Sequence, residues 1–480
     1  MSLAFLLASS CQQNTTTLDP PREQPFKDRT LLISCSPEVI PVELIDQYAR
    51  EWQLRQAVAT TVQRERPDRF TGDVAVVTAA ELPLLVDSGR YLPVPESITK
   101  NREQPYQWDG LLPSFAGTIT SWGGVEYGLP VLGESHLLVY RKDRFTEAKV
   151  SAPASWEEYL AAAKALAKPE RPSLPPLPKH SLDLEVEFHL IAACYDRQGL
   201  SQGDVVRALN DPESADRLLS YQYRLGSAES RINAKPFVEA LRILQELQPF
   251  RVPGESDDPG AFFADGSASL AIVSLRDLHR FQAPGSAVRG KFGIAPVPGS
   301  RHTFDPESGQ PVPTRGNSVN RMPYLGARAW VGLVSKDCQN PALAWEFLAG
   351  LAVPDKTGAE VIIAGKWGAG PFRYFHIEER GRYLWYGYDL PREDTESLVA
   401  ALKEQLQPNI VNQCYRLRLP NQQAHLREFD AVIRPALVAR KKDPQQTMDE
   451  LAQRWREIWK DTSNAQRKSW VRMSYGLPAE

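Results

Sequence analysis

Residues 125–145 read VEYGLPVLGESHLLVYRKDRF. The stretch opens like a hairpin, passes through Gly-Leu-Pro, and becomes an apolar run closed by a charged turn. Between its two strand-like pieces stand a glycine, an acid and a serine, Gly133, Glu134 and Ser135. Polar residues at a kink between apolar strands suit a chain that leaves one domain for another. The glycine would permit the bend.

On the N-terminal side, Leu31 to Ser34 form a short apolar run. PVELIDQYAREW then places Val42, Ile45, Tyr48 and Ala49 at the spacing of an amphipathic helix. AVATTVQ (57–63) predicts a second strand. Val74 to Val77 form a continuous apolar run, as in a strand buried on both faces. AAELPLLVDSG predicts the next helix, closed by Gly89. Strands and helices alternating through short links argue an α/β lobe with a largely parallel sheet, whose ligands sit at the carboxyl ends of strands.

On the C-terminal side the chain turns helix-rich. In PASWEEYLAAAKALAKPE, Ser155 can cap a helix, Glu157 and Glu158 suit its first turn, and Pro169 ends it. Helical patterns continue through LEVEFHLIAACYDRQG, DVVRALNDPESADRLLSYQ and KPFVEALRILQELQPF. Strands are predicted at 269–274 and in KFGIAPVPGS. The polar loop RHTFDPESGQPVPTRGNSVNRMP reads as mobile. LGARAWVGLVSKDCQNPALAWEFLAGLA returns to strand and helix, and PQQTMDELAQRWREIWK predicts a late amphipathic helix.

At 480 residues the chain exceeds one ordinary core, so two or three lobes are expected. Net charge is −3, which supplies no footprint for nucleic acid, and no nucleic-acid partner is expected. The start, MSLAFLLASSC, puts small residues before Cys11 and a polar tether after it. This resembles a bacterial lipoprotein signal with Cys11 as the lipidated residue, although no Lys or Arg precedes the apolar run. No run of about 18 apolar residues predicts a transmembrane helix. Cys35, Cys194, Cys338 and Cys414 form no C-x-x-C pair; disulfides among them stay open, and no metal or cofactor is expected.

Several phrases, in order, resemble the extracellular solute-binding proteins of ABC importers, the sugar-binding group that includes maltose-binding protein. They are YGLPVLGESHLLVYRKDRF, PASWEEYLAAAKAL, FFADGSASLAIVS, FGIAPVPGS, GARAWVGLVSKDCQNPALAWEFL and QTMDELAQRWREI, together spanning most of residues 28–460. The resemblance implies an α/β fold of the periplasmic-binding-protein type II: two lobes, each a mostly parallel sheet flanked by helices, joined by hinge crossings. The crossings would fall near 132–135, near 291–296 and soon after Val334. The implied division is 1–27 as signal and tether, 28–132 plus 293–335 as one lobe, and 133–292 plus 336–480 as the other.

It further implies a monomeric, lipid-anchored periplasmic or extracellular protein. Such a protein would capture a small solute, expected to be a carbohydrate, and deliver it to ABC permease subunits. A sensor feeding a membrane signalling partner and a secreted carbohydrate-active hydrolase are the alternatives. Sugars need hydrogen-bonding groups and flat aromatic faces. Ser34, Ser36, Thr78 and Glu81 follow first-lobe strands and could bind ligand or cap loops. Glu134 and Ser135 would face the cleft. Arg276 stands where the family often carries tryptophan; it would favour an anionic or strongly polar ligand, or else pair with Asp277 or Asp73. Gly326 and Arg328 follow the polar loop, with Trp330 expected in the core. Trp367, Arg373 and Tyr374 lie in a Gly-rich stretch that offers an aromatic wall. YLWYGYDLP (383–391) reads as a further wall or a docking patch. No H-E-x-x-H, G-x-S-x-G or Walker loop is present, and nothing places a carboxylate pair for glycoside hydrolysis, so no catalytic residue is expected.

Overall fold

The computed structural model describes residues 25–37, 39, 42–100, 105–201, 203, 212–353, 370–407, 410, 412–439 and 442–479. Cys11 and Trp367 lie outside the described residues.

Eight strands organise two sheets: β1 (Thr30–Cys35), β2 (Ala59–Arg64), β3 (Val74–Thr78), β4 (Leu129–Leu132), β5 (His136–Arg141), β6 (Leu270–Ser274), β7 (Phe292–Ala295) and β8 (Trp330–Val334). The first sheet runs β2-β1-β3-β8-β4. Its first three strands are parallel, with Ile33 opposite both Val62 and Val74. β8 is antiparallel to both its neighbours. All five residues of β3 are buried, as the unbroken apolar run requires. Helix α1 (Glu43–Gln56) lays Ile45, Tyr48 and Trp52 on this sheet.

The second sheet runs β6-β5-β7, with Leu138 opposite Ile272 and Ala295. Its pairs are antiparallel, so the expectation of a mostly parallel sheet holds only in the first lobe. The pleat sends alternate residues to opposite faces. Leu138 and Leu270 join one core with helix α2 (Ser181–Asp196), and Leu137, Val139, Ala271 and Val273 join another.

The chain crosses between sheets at residues 133–135, between β4 and β5, as the kink between apolar strands predicts. Gly133 has no positive φ. Its requirement is space: a Cβ there would lie 2.3 Å from the Pro371 carbonyl oxygen. Close approach, rather than the expected bend, is the reason for glycine. The other boundaries differ from expectation. β7 pairs within the second sheet, so the return to the first lobe lies beyond residue 295. Helix α3 (Pro341–Leu351) belongs to the first lobe, where Phe347 meets Tyr48 and Trp52 at ring distances of 5.1 and 5.4 Å. Arg373 still bonds first-lobe carbonyls, whereas helix α4 (Arg392–Leu406) packs on β5 and β7. The third crossing thus falls well after Val334.

The segment read as a mobile loop is folded. His302–Phe304 and Pro311–Pro313 pair as a hairpin, with His302 and Phe304 packed on Tyr195. In the 383–391 stretch Trp385 is fully buried and donates to the His376 carbonyl, while Tyr383 is exposed. Helices α5 (Gln422–Ala439), α6 (Pro444–Ile458) and α7 (Asn464–Ser474) complete the chain; α5 and α6 pack on the second lobe. Cys35, Cys194, Cys338 and Cys414 are free, buried thiols.

Buried histidines tie the helices together. His189 meets the Tyr221 hydroxyl at 2.9 Å and Gln222 Nε2 at 3.1 Å, and stacks on Tyr324. Burial pushes His189 down to about 3 and His425 down to about 4. Between those values and the ordinary 6.5 the unfolded chain binds more protons, so stability falls as pH drops through this window. Urea midpoints measured from about pH 7 to about pH 4.5 should therefore decline, and His189→Gln should flatten the slope; an unchanged slope would assign the decline to the other buried histidines or to carboxylates. Gly133→Ala should cost about 1–3 kcal/mol in the same assay, because the opposing atoms are backbone and cannot yield cheaply.

Candidate functional site

The end of β3 meets the second lobe across a cleft of about 220 Å³. Thr78 and Glu81 line it from the first lobe. His180, Ser181 and Leu182 line it from the start of α2, and Arg416, Gln423, Leu426 and Arg427 from the chain entering and forming α5. Local hydrogen bonds preset the first-lobe wall. Ser36 Oγ donates to Glu81 Oε1 at 2.7 Å, and the Thr78 amide and hydroxyl both donate to Oε2 at 3.0 Å. Of these three predicted residues Ser36 is fully buried behind the carboxylate, and it supports the wall rather than lining it.

Opposite, Arg416 Nε donates to Glu185 Oε2 at 2.9 Å, and both residues are buried. Burial opposes the Arg416 charge, but Glu185, Tyr324 and Glu81 more than offset it, so the guanidinium is held charged. The N-terminus of the 16-residue α2, at which His180 makes no side-chain capping hydrogen bond, borders the same space. The cleft thus offers hydroxyl, carboxylate, guanidinium and amide groups with only two leucines among its described lining residues. Groups of this kind can exchange hydrogen bonds with a polar molecule.

The remaining predicted residues have other roles. Ser34 Oγ donates to Glu65 at 2.6 Å and accepts from the Gly72 amide at 3.0 Å, which ties strands together away from the cleft. Glu134 is buried and accepts from the amides of Gly326, Ala327 (3.2 Å) and Arg328 (2.5 Å). Burial pushes its carboxyl above the ordinary range while those donors pull it back. Ser135 Oγ is buried beside it. Gly326 adopts φ +88°, with open space where a side chain would stand, so its glycine serves the left-handed turn rather than a ligand. Arg373 is fully buried, donates to the carbonyls of Ala352 and Gln107, and lies 4.6 Å over the Tyr106 ring; it is a packing residue. Tyr374 follows it at the start of a short helix and does not line the cleft. Arg328 pairs with Asp183 in the first turn of α2, which joins the segment leading into β8 to the second lobe. Arg276 lines another cavity, together with His136, Asp183 and Arg328.

Sequence reasoning missed the whole second-lobe wall of the cleft. One signal was available: PSLPPLPKHS ends a proline run at a helix start, the place where amides face open space. A second was the alternation of arginines in CYRLRLP. Its other member, Arg418, is fully buried. It donates to the carbonyls of Ile119 (3.1 Å), Ser121 (3.1 Å) and Ser474 (2.5 Å). The Ser121–Glu126 hairpin, which lies beside Leu82–Val86, is thereby tied to the end of α7. Met473 and Pro478 pack on Gly123 and Gly124.

The chain matches the model of the bacterial extracellular solute-binding protein family over residues 45–373, more than half its length. In fold it is similar to an ABC substrate-binding protein from Listeria monocytogenes in complex with cycloalternan. The TM-score is 0.63 at 15% identity, covering 90% of this chain and 99% of the other. It is also similar to an ABC transporter solute-binding protein from Agrobacterium radiobacter in complex with ribitol (0.62, 14%, 90% and 99%). A third similar structure is maltose-bound MalE3 of T. maritima (0.61, 14%, 89% and 99%). Among the described residues no helix is long and apolar enough to cross a membrane.

Replacing Arg418 by Met leaves buried carbonyls without a donor and should cost about 3 kcal/mol. Hydrogen exchange should quicken first at 117–126 and 464–477. Unchanged exchange in the hairpin would show that the C-terminal segment does not hold it.

Proposed function

The chain belongs to the bacterial extracellular solute-binding protein family, and from that premise we propose that it captures a small polyhydroxylated solute between its lobes and delivers it to the permease of an ABC importer. The cleft between Thr78–Glu81 and the start of α2 carries this reading. Its 220 Å³ equals roughly seven waters at about 30 Å³ each, the scale of a monosaccharide or polyol. No tryptophan, tyrosine or phenylalanine is among its described lining residues, so hydroxyl exchange rather than ring stacking would provide the affinity. A linear or single-ring polyol meets that demand better than a long oligosaccharide. Ribitol, the ligand of one similar structure, is of this kind.

Closure follows from differential affinity: a solute that bonds both walls binds the closed arrangement better and shifts the population toward it. Anchoring through a lipid on Cys11 would hold the protein beside its permease. Hydrolysis finds less support, because Glu81 is the one carboxylate among the cleft's described lining residues and glycosidases place two across the scissile bond.

A thermal-shift screen with ribitol, mannitol, tagatose and maltose tests the reading. A ligand at a hundred times its dissociation constant should add about 2.7 kcal/mol of stability. Thr78→Ala and Glu81→Gln should each weaken the best ligand at least tenfold; equal affinity in both variants would remove the solute from this cleft.

A further inference from the structure

Helix α7 and the turn that follows it lie between the two lobes and hold on to each. On the second-lobe side Val471 enters the core shared by α2, α5 and α6, and the Trp470 and Trp459 rings meet at 6.0 Å. The Tyr475 hydroxyl there accepts from the Tyr221 amide at 2.9 Å. On the first-lobe side the turn lies on the Ser121–Glu126 hairpin. The two backbones come so close that a Cβ at Gly476, which has φ +75°, would stand 2.6 Å from the Gly117 carbonyl oxygen. A Cβ at Gly123 would meet Met473 Sδ at 3.2 Å, and one at Gly124 would meet the Pro478 ring at 3.4 Å.

The hairpin belongs to the first lobe. Its Glu126 carbonyl accepts from the Val94 amide at 2.8 Å, and the chain then runs directly into β4. Arg418 stands between Leu417 and Leu419 of the second-lobe core and joins the three parts. Its Nη1 donates to the Ile119 and Ser121 carbonyls of the first lobe, and its Nε donates to the Ser474 carbonyl of α7 at 3.2 Å. Drawing the lobes apart at this edge would take two acceptors from a buried guanidinium and leave two carbonyls bare, which is costly. The Arg328–Asp183 bridge between the lobes is partly exposed, and pairs of that kind hold little.

We propose that α7 and its turn form a clasp that holds the lobes in the arrangement lining the cleft before any solute enters, so that opening begins with release of the 473–478 turn from the hairpin. The clasp acts on the equilibrium between lobe arrangements and is the same whatever solute the cleft takes. Without it the chain would spend part of its time open, and the fraction ready to bond a solute from both walls would fall.

Pulsed electron–electron resonance on the solute-free full chain tests this, with spin labels attached through Leu54→Cys on α1 and Val438→Cys on α5. Both positions are well exposed, whereas Cys35, Cys194, Cys338 and Cys414 are buried, so adding Cys11→Ser confines labelling to the two sites. The parent should give one narrow distance. Met473→Lys, which sets a charge against the Gly123 turn, and Gly476→Val, which collides with the Gly117 carbonyl, should each add a second population at longer distance. Both should still melt cooperatively, since neither changes a strand or a fully buried side chain; if one does not, the other decides. Two distances in the parent, or a single unchanged distance in the variants, would overturn the proposal. A solute that raises the melting temperature of a parent already showing two distances would remove the clasp and leave the interlobe reading standing.

Discussion

The Glu134 carboxylate holds the crossing region together. It sits buried at the first passage between sheets and gathers the amides of residues 326–328. A hydrogen bond to a charged acceptor is worth about 1.5–3 kcal/mol, and three of them set against desolvation fix two distant segments in one place. Neighbouring segments inherit that position. Arg328 reaches Asp183 because its own amide is pinned to Glu134. Just upstream, Tyr324–Leu325 pair with Cys414–Tyr415, and the next residue, Arg416, enters the cleft. Trp330 then begins β8, the strand antiparallel to both β3 and β4 in the first sheet.

Local pattern carried the first lobe almost complete. The unbroken Val74–Val77 run and the spacing of Ile45, Tyr48 and Ala49 leave few other ways to bury those side chains, and the structure buries them all. A cap was equally legible: Ser155 accepts from the amide three residues on, as its chemistry favours. Thr78 and Glu81 were found because carboxyl ends of strands are where side chains meet open space. The rest was hidden for identifiable reasons. Glu134 looked like a ligand group because a sequence does not show that three amides from a distant segment close on it. Arg373 looked exposed among glycines, yet its donors meet carbonyls from residues 107 and 352. The hairpin at 302–313 reads as loose because prolines and polar residues also fill mobile loops. Partners distant in sequence decide such residues, and no local rule reports them.

The two cavities share α2 and divide its chemistry. Ser181 and Leu182 face one, Asp183 and Val186 the other, as successive positions on a helix must when its first turn stands between two spaces. The Arg328–Asp183 pair stands at this divide, bridging the two lobes. An ion pair there costs little in a partly exposed setting and is worth little in isolation. Its contribution is placement: it holds Arg328 against the first turn of α2.

The Arg418 contacts bear on when this protein can finish folding. Arg418 and Ile119 are separated by 299 positions, and Ser474 lies only a few residues from the end of the described chain. Contacts of such sequence separation form late, since loop closure is lost before they return any energy. A chain emerging in order can assemble the β1–β3 layer early, but the Ile119 and Ser121 carbonyls meet their guanidinium only once Arg418 has been made. The nascent first lobe therefore keeps two buried carbonyls unmatched until a residue made 299 positions after Ile119 folds back onto it.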